Sequence, residues 1–175
     1  EHSDEEDSII SNLSVEPSGH VHVTYYDQNS LSIRYAHRVG GGDWHFEDVG
    51  PAQDNLKGQT VDATGAVHLI FNDRDLLSPR VRYGRRSVQG VWSLETIDDG
   101  DIGVDGTIVV DKSQRVHVAW WRNLSSLVYA TRGNNQDGWE LDTVDDNGVV
   151  GEHPSIGLSA TGVISLSYRI AGTKN

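Results

Sequence analysis

Three histidines recur at one place in a repeated phrase: His22 in VHVTYYD, His68 in VHLIFND and His117 in VHVAWWR. Imidazoles are zinc ligands, so three at one phase would make a zinc site if the fold gathered them. The same phrases close on Asp27, Asp73 and the pair Trp121-Arg122, and Trp120 with Trp121 is expected to offer one stacking face to a sugar. Polar connections elsewhere carry Asp54, Asp98, Asp99, Asp101, Asp105, Asp145, Asp146, Glu152 and His153. Carboxylates in that number can hold calcium through oxygen ligands, although their spacing does not match an EF-hand loop. Arg80, Arg82, Arg85 and Arg86 form the one basic cluster, suited to pairing with acids on the next unit or to holding a carboxylated sugar. Near the end, His153, Tyr168 and Arg169 offer a base and a group that neutralises a carboxylate, as elimination from a uronate polysaccharide requires. Their spacing singles out no mechanism. There is no serine nucleophile elbow, P-loop or dinucleotide fingerprint, so no catalytic residue is assigned.

The elements that must position these residues repeat. GHVHVTYYD (19–27), GAVHLIFND (65–73), RVHVAWWRN (115–123) and GVISLSYRI (162–170) align. Each of the first three is followed by a run ending in an aromatic and a small residue (SIRYAHR, RVRYGRR, LVYATR), then by one opening on tryptophan (WHFEDV, WSLETI, WELDTV). A period of roughly 48 residues, with several short strands per unit, is the pattern of a propeller or related array. Before each first phrase comes a tight turn: Glu16 to Gly19, Asp62 to Gly65, Asp111 to Gln114 and Ser159 to Gly162. The first residue caps the turn and glycine takes the left-handed position; Gln114 pays a local penalty there.

Four strands per unit are expected over 9–49, 56–97 and 107–144, with a fourth unit, 155–170, stopping after its second strand. Residues 1–8 (EHSDEEDS) form an acidic flexible head, and 9–175 form a single domain. The predicted fold class is all-β: a β-propeller-type array of about three and a half four-stranded antiparallel blades. Three and a half blades do not close a ring of four to eight. Further blades from a longer chain, or self-association, are therefore expected to cover the open ends. In such an array equivalent positions fan apart around an axis, which argues against one zinc ion shared by His22, His68 and His117.

Bulk composition narrows the partners. The formal charge is −12, so a polyanionic nucleic acid would be repelled. No apolar run is long enough for a transmembrane helix. Without cysteine there are no disulfides, thiolate metal sites or cysteine nucleophiles. The absence of methionine and the start at Glu1 suggest a processed mature chain or a piece cut from a longer one; the first gives the expectation of an extracellular or secreted protein.

The unit resembles the BNR or Asp-box class of propeller repeat, in the sialidase-like superfamily. Its loop between third and fourth strands reads roughly Ser-x-Asp-x-Gly-x-x-Trp. The matching stretches are GNNQDGW (133–139), SVQGVW (87–92) and GGGDW (40–44), of which Asp137-Gly138-Trp139 is the good remnant. Similar repeats occur in bacterial secreted proteins and in some polysaccharide lyases. Tyr168-Arg169-Ile170 echoes a sialidase motif, but Ala171 stands where that motif has proline, and the arginine triad with its Tyr–Glu pair cannot be assembled. The resemblance implies fold, and function belongs to sites grafted on it. A binding module for carbohydrate or a protein partner is expected, with ligand contacts on the loop face at Asp27, Asp73, Trp121, Arg122, His153 and Arg169. No cofactor is assigned, with calcium as the candidate ion for the acidic rim. The alternative is a fragment of a polysaccharide lyase or glycosidase whose catalytic residues lie partly elsewhere.

Overall fold

The computed structural model describes residues 8–53, 57–73, 75, 80–99, 103–134 and 137–170. Most of the acidic head, along with Asp54 and Asp101, lies outside them. The described residues form fourteen strands and no membrane-spanning helix. Blade 1 holds β1 (Ser8–Val15), β2 (Val21–Asp27), β3 (Ser32–Arg38) and β4 (His45–Pro51). Blade 2 holds β5 (Lys57–Val61), β6 (Val67–Asn72), β7 (Arg80–Arg86) and β8 (Trp92–Asp99). Blade 3 holds β9 (Gly103–Val110), β10 (Val116–Arg122), β11 (Ser126–Arg132) and β12 (Glu140–Asp145), and a half blade holds β13 (Val150–Leu158) and β14 (Ile164–Ile170). Each sheet is an antiparallel meander in chain order. The predicted all-β array of three and a half blades is the observed architecture.

The turns close as their residues dictate. Gly19, Gly65 and Gly162 donate back to Glu16, Asp62 and Ser159 at 2.8 to 3.0 Å, with φ between 82° and 88°. Gln114 makes the same bond to Asp111 at φ 61°, a left-handed conformation that costs a side-chain-bearing residue about 1 kcal/mol. Alternation then sets the faces: on β2, His22, Thr24 and Tyr26 are buried while their neighbours are half-buried.

Inside each full blade a tyrosine hydroxyl meets the repeated histidine, and in blades 1 and 2 an acid extends the pair into a chain of hydrogen bonds. His68 Nε2 lies 3.1 Å from Asp62 and its Nδ1 lies 2.6 Å from the Tyr83 hydroxyl. A carboxylate only accepts, so Nε2 carries the proton and the tyrosine donates to Nδ1. Blade 1 repeats this with Glu16, His22 and Tyr35 at 2.8 and 2.7 Å. Blade 3 has His117 at 2.6 Å from Tyr129 and 3.6 Å from Asp111. Burial keeps Tyr35 and Tyr83 above the ordinary phenol range, which holds their donor protons in place.

Between blades the linkage is ionic and apolar together. Glu47 on β4 accepts two bonds from Arg86 of blade 2, at 2.8 and 2.6 Å, and a third from the Trp92 indole at 2.8 Å. Glu95 on β8 takes the same place for blade 3, accepting one bond from Arg132 and, at 3.0 Å, one from the Trp139 indole. The arginines lie over Tyr35 and Tyr83, 5.2 and 5.4 Å from the ring centroids, and the tryptophans meet the same rings edge-on. Beside each clamp sits one core. Tyr26, Ile33, Tyr35, Val49 and Ala52 pack on Val67, Leu69 and Phe71, while Ile70, Val81, Tyr83 and Ile97 pack on Ile108, Val118, Trp120 and Val128. Gly58 lets β5 approach β9, since a Cβ there would lie 2.9 Å from Ile70 and 3.1 Å from the Gly106 carbonyl.

The pattern runs out at both ends. Asp142 stands where Glu47 and Glu95 stand, and among the described residues no arginine or tryptophan meets it. Val144, in the place of Val49 and Ile97, is 43% exposed where those are 7% and 6%. At the other end Arg38 stacks on Trp44 at 4.8 Å, and among the described residues no acid pairs with it.

Two predictions follow from these linkages. Glu95→Ala strands Arg132 and the Trp139 indole, so urea unfolding should show a loss of about 2 kcal/mol, against under about 0.5 kcal/mol for Asp142→Ala. Burial also lowers the His22, His68 and His117 pKa values, so the unfolded chain binds protons more readily. Stability should be fully present above the unfolded histidine value of about 6.5 and fall as pH drops through it. At lower pH, protonation of Asp62 should remove more. Burial alone would raise its pKa, but bonds from Thr64 and His68 hold it low. His68→Gln should flatten the change in thermal midpoint between about pH 7.5 and pH 5.5; an unchanged slope would remove His68 as its source.

Candidate functional site

One end of the array gathers the turns between second and third strands with the connections between blades. Here Asp27, Asp73 and Arg122 occupy equivalent positions, and the structure gives each its own partner. Asp27 accepts from the Asn29 and Ser30 amides at 2.9 and 3.3 Å and lies 3.6 Å from Arg34. The Ser30 hydroxyl leads the contacts that hold its pKa below the ordinary carboxylate value. Asp73 accepts from the Asp75 and Arg80 amides at 3.3 and 3.2 Å and faces the Arg80 and Arg82 guanidinium groups at 3.6 and 3.5 Å. In blade 3 the charge is reversed, and Arg122 reaches back to Asp98 of blade 2.

The remaining candidates are dispersed. Trp121 is half-buried, and its indole N–H makes no hydrogen bond. Trp120 is fully buried in the core between blades 2 and 3, which corrects the reading of Trp120 and Trp121 as a shared stacking face for sugar: alternation sends Trp120 inward. His153 lies 2.7 Å from Asp105, both in left-handed conformations at φ 49° and 46°. Arg169 pairs with Glu152 on the neighbouring strand. Tyr168 donates to Asp145 at 2.7 Å. The basic cluster also divides: Arg80 and Arg82 pair with acids of their own blade, while Arg86 clamps the preceding one. Among the described residues the loop-face acids do not gather into a group with metal-ligand spacing.

A cleft of about 240 Å³ opens between blades 1 and 2, lined by Pro51, Phe71, Asp73, Asp75, Arg82 and Leu94. Its cause is a departure from the repeat. Blades 2 and 3 close their fourth strands on Asp98-Asp99 and Asp145-Asp146, and Arg122 and the Tyr168 hydroxyl fill in against the first of each pair. Blade 1 has Gly50-Pro51 there. Glycine supplies no partner, and a Cβ at Gly50 would press on Leu94 at 3.3 Å. Without an acid from blade 1, Asp73 and Arg82 of blade 2 turn to one another at the rim. Arg82 is aimed by a 3.1 Å bond from its Nε to the Glu95 carbonyl. Asn72 fixes the adjoining wall, bonding both the carbonyl and the amide of Gly103 at the start of β9. The cleft thus sets a carboxylate and a guanidinium against a floor of Phe71, Leu94 and Pro51.

Of the expected ligand residues, only Asp73 lines this cleft. Arg82 stood in the basic cluster, while Phe71, Leu94, Pro51 and Asp75 were not singled out. The signal for them was the Gly-Pro break at 50–51 against two Asp-Asp copies.

No protein-family model matches the chain, and no curated protein matches it in sequence. Solved structures do share its architecture. A fucose lectin from Kordia zhangzhouensis, in complex with methyl-fucoside, has a TM-score of 0.52 at 12% identity over 75% of this chain and 96% of its own. A bifunctional GH43-CE protein of Bacteroides eggerthii has a TM-score of 0.55 at 10% identity over 92% of this chain, which spans 22% of that protein. A GH62 hydrolase in complex with xylotriose has a TM-score of 0.50 at 9% identity, over 95% of this chain and 67% of its own. At these identities the likeness is one of fold.

Proposed function

We propose that this chain is a carbohydrate-binding module of an extracellular propeller, taking one sugar residue in the cleft between blades 1 and 2. The observation that carries the reading is the lining of that cleft. A sugar ring presents C–H faces and a girdle of hydroxyls. Phe71, Leu94 and Pro51 suit the first, and Asp73 as acceptor with Arg82 as donor suits the second. A volume of about 240 Å³ is smaller than the about 300–1,000 Å³ of drug-sized sites, which favours a single residue over a long polymer or a protein face. That a fucose lectin and a xylotriose-bound hydrolase share the fold supports the same reading. The remnant Asp137-Gly138-Trp139 supports kinship with sialidase-like repeats as part of this proposal.

Titration calorimetry with methyl-fucoside, xylotriose and a panel of neutral and uronic monosaccharides tests it. Saturable binding to at least one is expected, weakened about ten- to a hundredfold by Arg82→Met through loss of a charged donor. Leu94→Trp, which fills the cleft from a side chain already 37% exposed, should abolish it while leaving the thermal midpoint in place. No saturable binding across the panel, or binding unchanged in both variants, overturns the proposal. Cleavage products in the same samples would move the assignment to the lyase or glycosidase reading.

A further inference from the structure

The opposite end of the array carries a second departure from the repeat, confined to one corner of blade 1. The turn acid is Glu16 where blades 2 and 3 have Asp62 and Asp111. His20 stands where they have Ala66 and Arg115, and His37 where they have Arg85 and Thr131. The strand register brings all three substitutions beside His22. Glu16 Oε1 lies 2.8 Å from His22 Nε2 and 3.6 Å from His20 Nδ1, and the ligand atoms of Glu16, His20 and His22 all lie within 4.8 Å of one another.

The exchange of aspartate for glutamate gives up local structure. Asp62 Oδ1 caps its turn through the Thr64 and Ala66 amides at 2.7 and 3.1 Å, and Asp111 does so through the Ser113 and Arg115 amides at 2.8 and 2.9 Å. Glu16 makes neither bond. Its second oxygen takes the Ser18 hydroxyl at 3.2 Å, which leaves Oε1 aimed at the two imidazoles. A repeat that surrenders its own cap at one copy, where two added histidines converge, marks a place selected for something besides folding.

We propose that Glu16, His20 and His22 form a transition-metal site, with zinc as the ion that best fits two imidazoles and a carboxylate. Zinc binds such ligands at about 2.0–2.1 Å, so tetrahedral neighbours lie about 3.3 Å apart. The observed 2.8 and 3.6 Å separations straddle that value. Each imidazole also has a partner on its other nitrogen, as ligating histidines require. His22 Nδ1 faces the Tyr35 hydroxyl at 2.7 Å, and His20 Nε2 faces His37 Nδ1 at 3.2 Å. His37 is backed in turn by Glu47 at 3.6 Å. On metal binding the His22 proton moves from Nε2 to Nδ1, and the tyrosine hydroxyl becomes the acceptor. His22 is enclosed, whereas the Glu16 and His20 side chains are 24% and 23% exposed, so the fourth position faces solvent.

The test is titration of tag-free protein with Zn²⁺ by calorimetry, and with Co²⁺ by the visible absorption of a tetrahedral complex. One ion per chain is expected, with a rise in thermal midpoint on Zn²⁺ addition that disappears as pH falls below about 6. Glu16→Asp and His20→Ala install the residues blade 2 carries at these positions, so both variants should keep the metal-free midpoint. Both should lose the Co²⁺ spectrum and the zinc stabilisation, and His37→Thr should weaken binding about tenfold or more through the outer shell. Absence of saturable binding overturns the proposal. So does binding at wild-type affinity in Glu16→Asp and His20→Ala, which would place the ion elsewhere.

Discussion

The three full blades are held in register by one carboxylate per junction that belongs to one blade and is satisfied by the next. Glu47 cannot place its two oxygens without Arg86 and Trp92, and Glu95 depends in the same way on Arg132 and Trp139. A half-buried carboxylate gives up hydration that paired donors must replace, and an arginine with an indole donor does so while fixing the angle of approach, with the arginine bidentate at Glu47. The guanidinium stacks on Tyr35 or Tyr83, which the histidine behind it holds by the hydroxyl. The chain of contacts therefore runs without interruption from the turn acid of one blade to the fourth-strand tryptophan of the next. Apolar packing supplies the bulk of the burial, but it is non-directional and would tolerate a slip that the clamps do not.

The same reasoning explains the two ends. Asp142 and Val144 present the acceptor half of a junction, while Arg38 and Trp44 present the donor half. These are the faces at which a further blade of matching sequence would find its partners in place. Among the described residues β14 pairs only with β13, which leaves its other edge an unpaired strand. In the half blade, Ser159 and Ser165 replace the turn acid and the histidine, and among the described residues no third strand pairs with β14 to bring a tyrosine.

Most of the architecture was legible because each blade spells its strands in the same order and closes its first turn with the same chemistry. The left-handed position of Gly19, Gly65 and Gly162 gave the hairpins, whereas the more buried side of Val21–Asp27 carries His22, Thr24 and Tyr26, which its apolar letters do not mark. The junctions were not legible. Glu47 and Arg86 are 39 residues apart, and nothing local in either phrase says that an acid on a fourth strand meets an arginine on the following third strand. Repeat alignment shows that both letters recur, and only the packing of blade on blade shows that they meet. Trp120 was misread for a related reason. Beside Trp121 it looks like half of an aromatic platform, but period-two alternation separates neighbours to opposite faces, and the core between blades 2 and 3 takes it.

Both proposed sites share a logic that a repeat protein makes visible. A structural requirement common to all blades is written at every copy, as the histidine–tyrosine pair is in each full blade. A requirement of one place is written as a departure from that common text. At 50–51, Gly-Pro removes the acid that elsewhere fills the junction, and Asp73 and Arg82 are left facing an open volume. At 16, 20 and 37, three exchanges crowd nitrogen and oxygen donors into a corner that in blades 2 and 3 holds one histidine and a capping aspartate. The first change subtracts side chains and the second adds them, so they predict different chemistry. The cleft has shape with few polar groups, as recognition of a neutral ring requires, while the corner has polar donors with little space, as coordination of an ion requires.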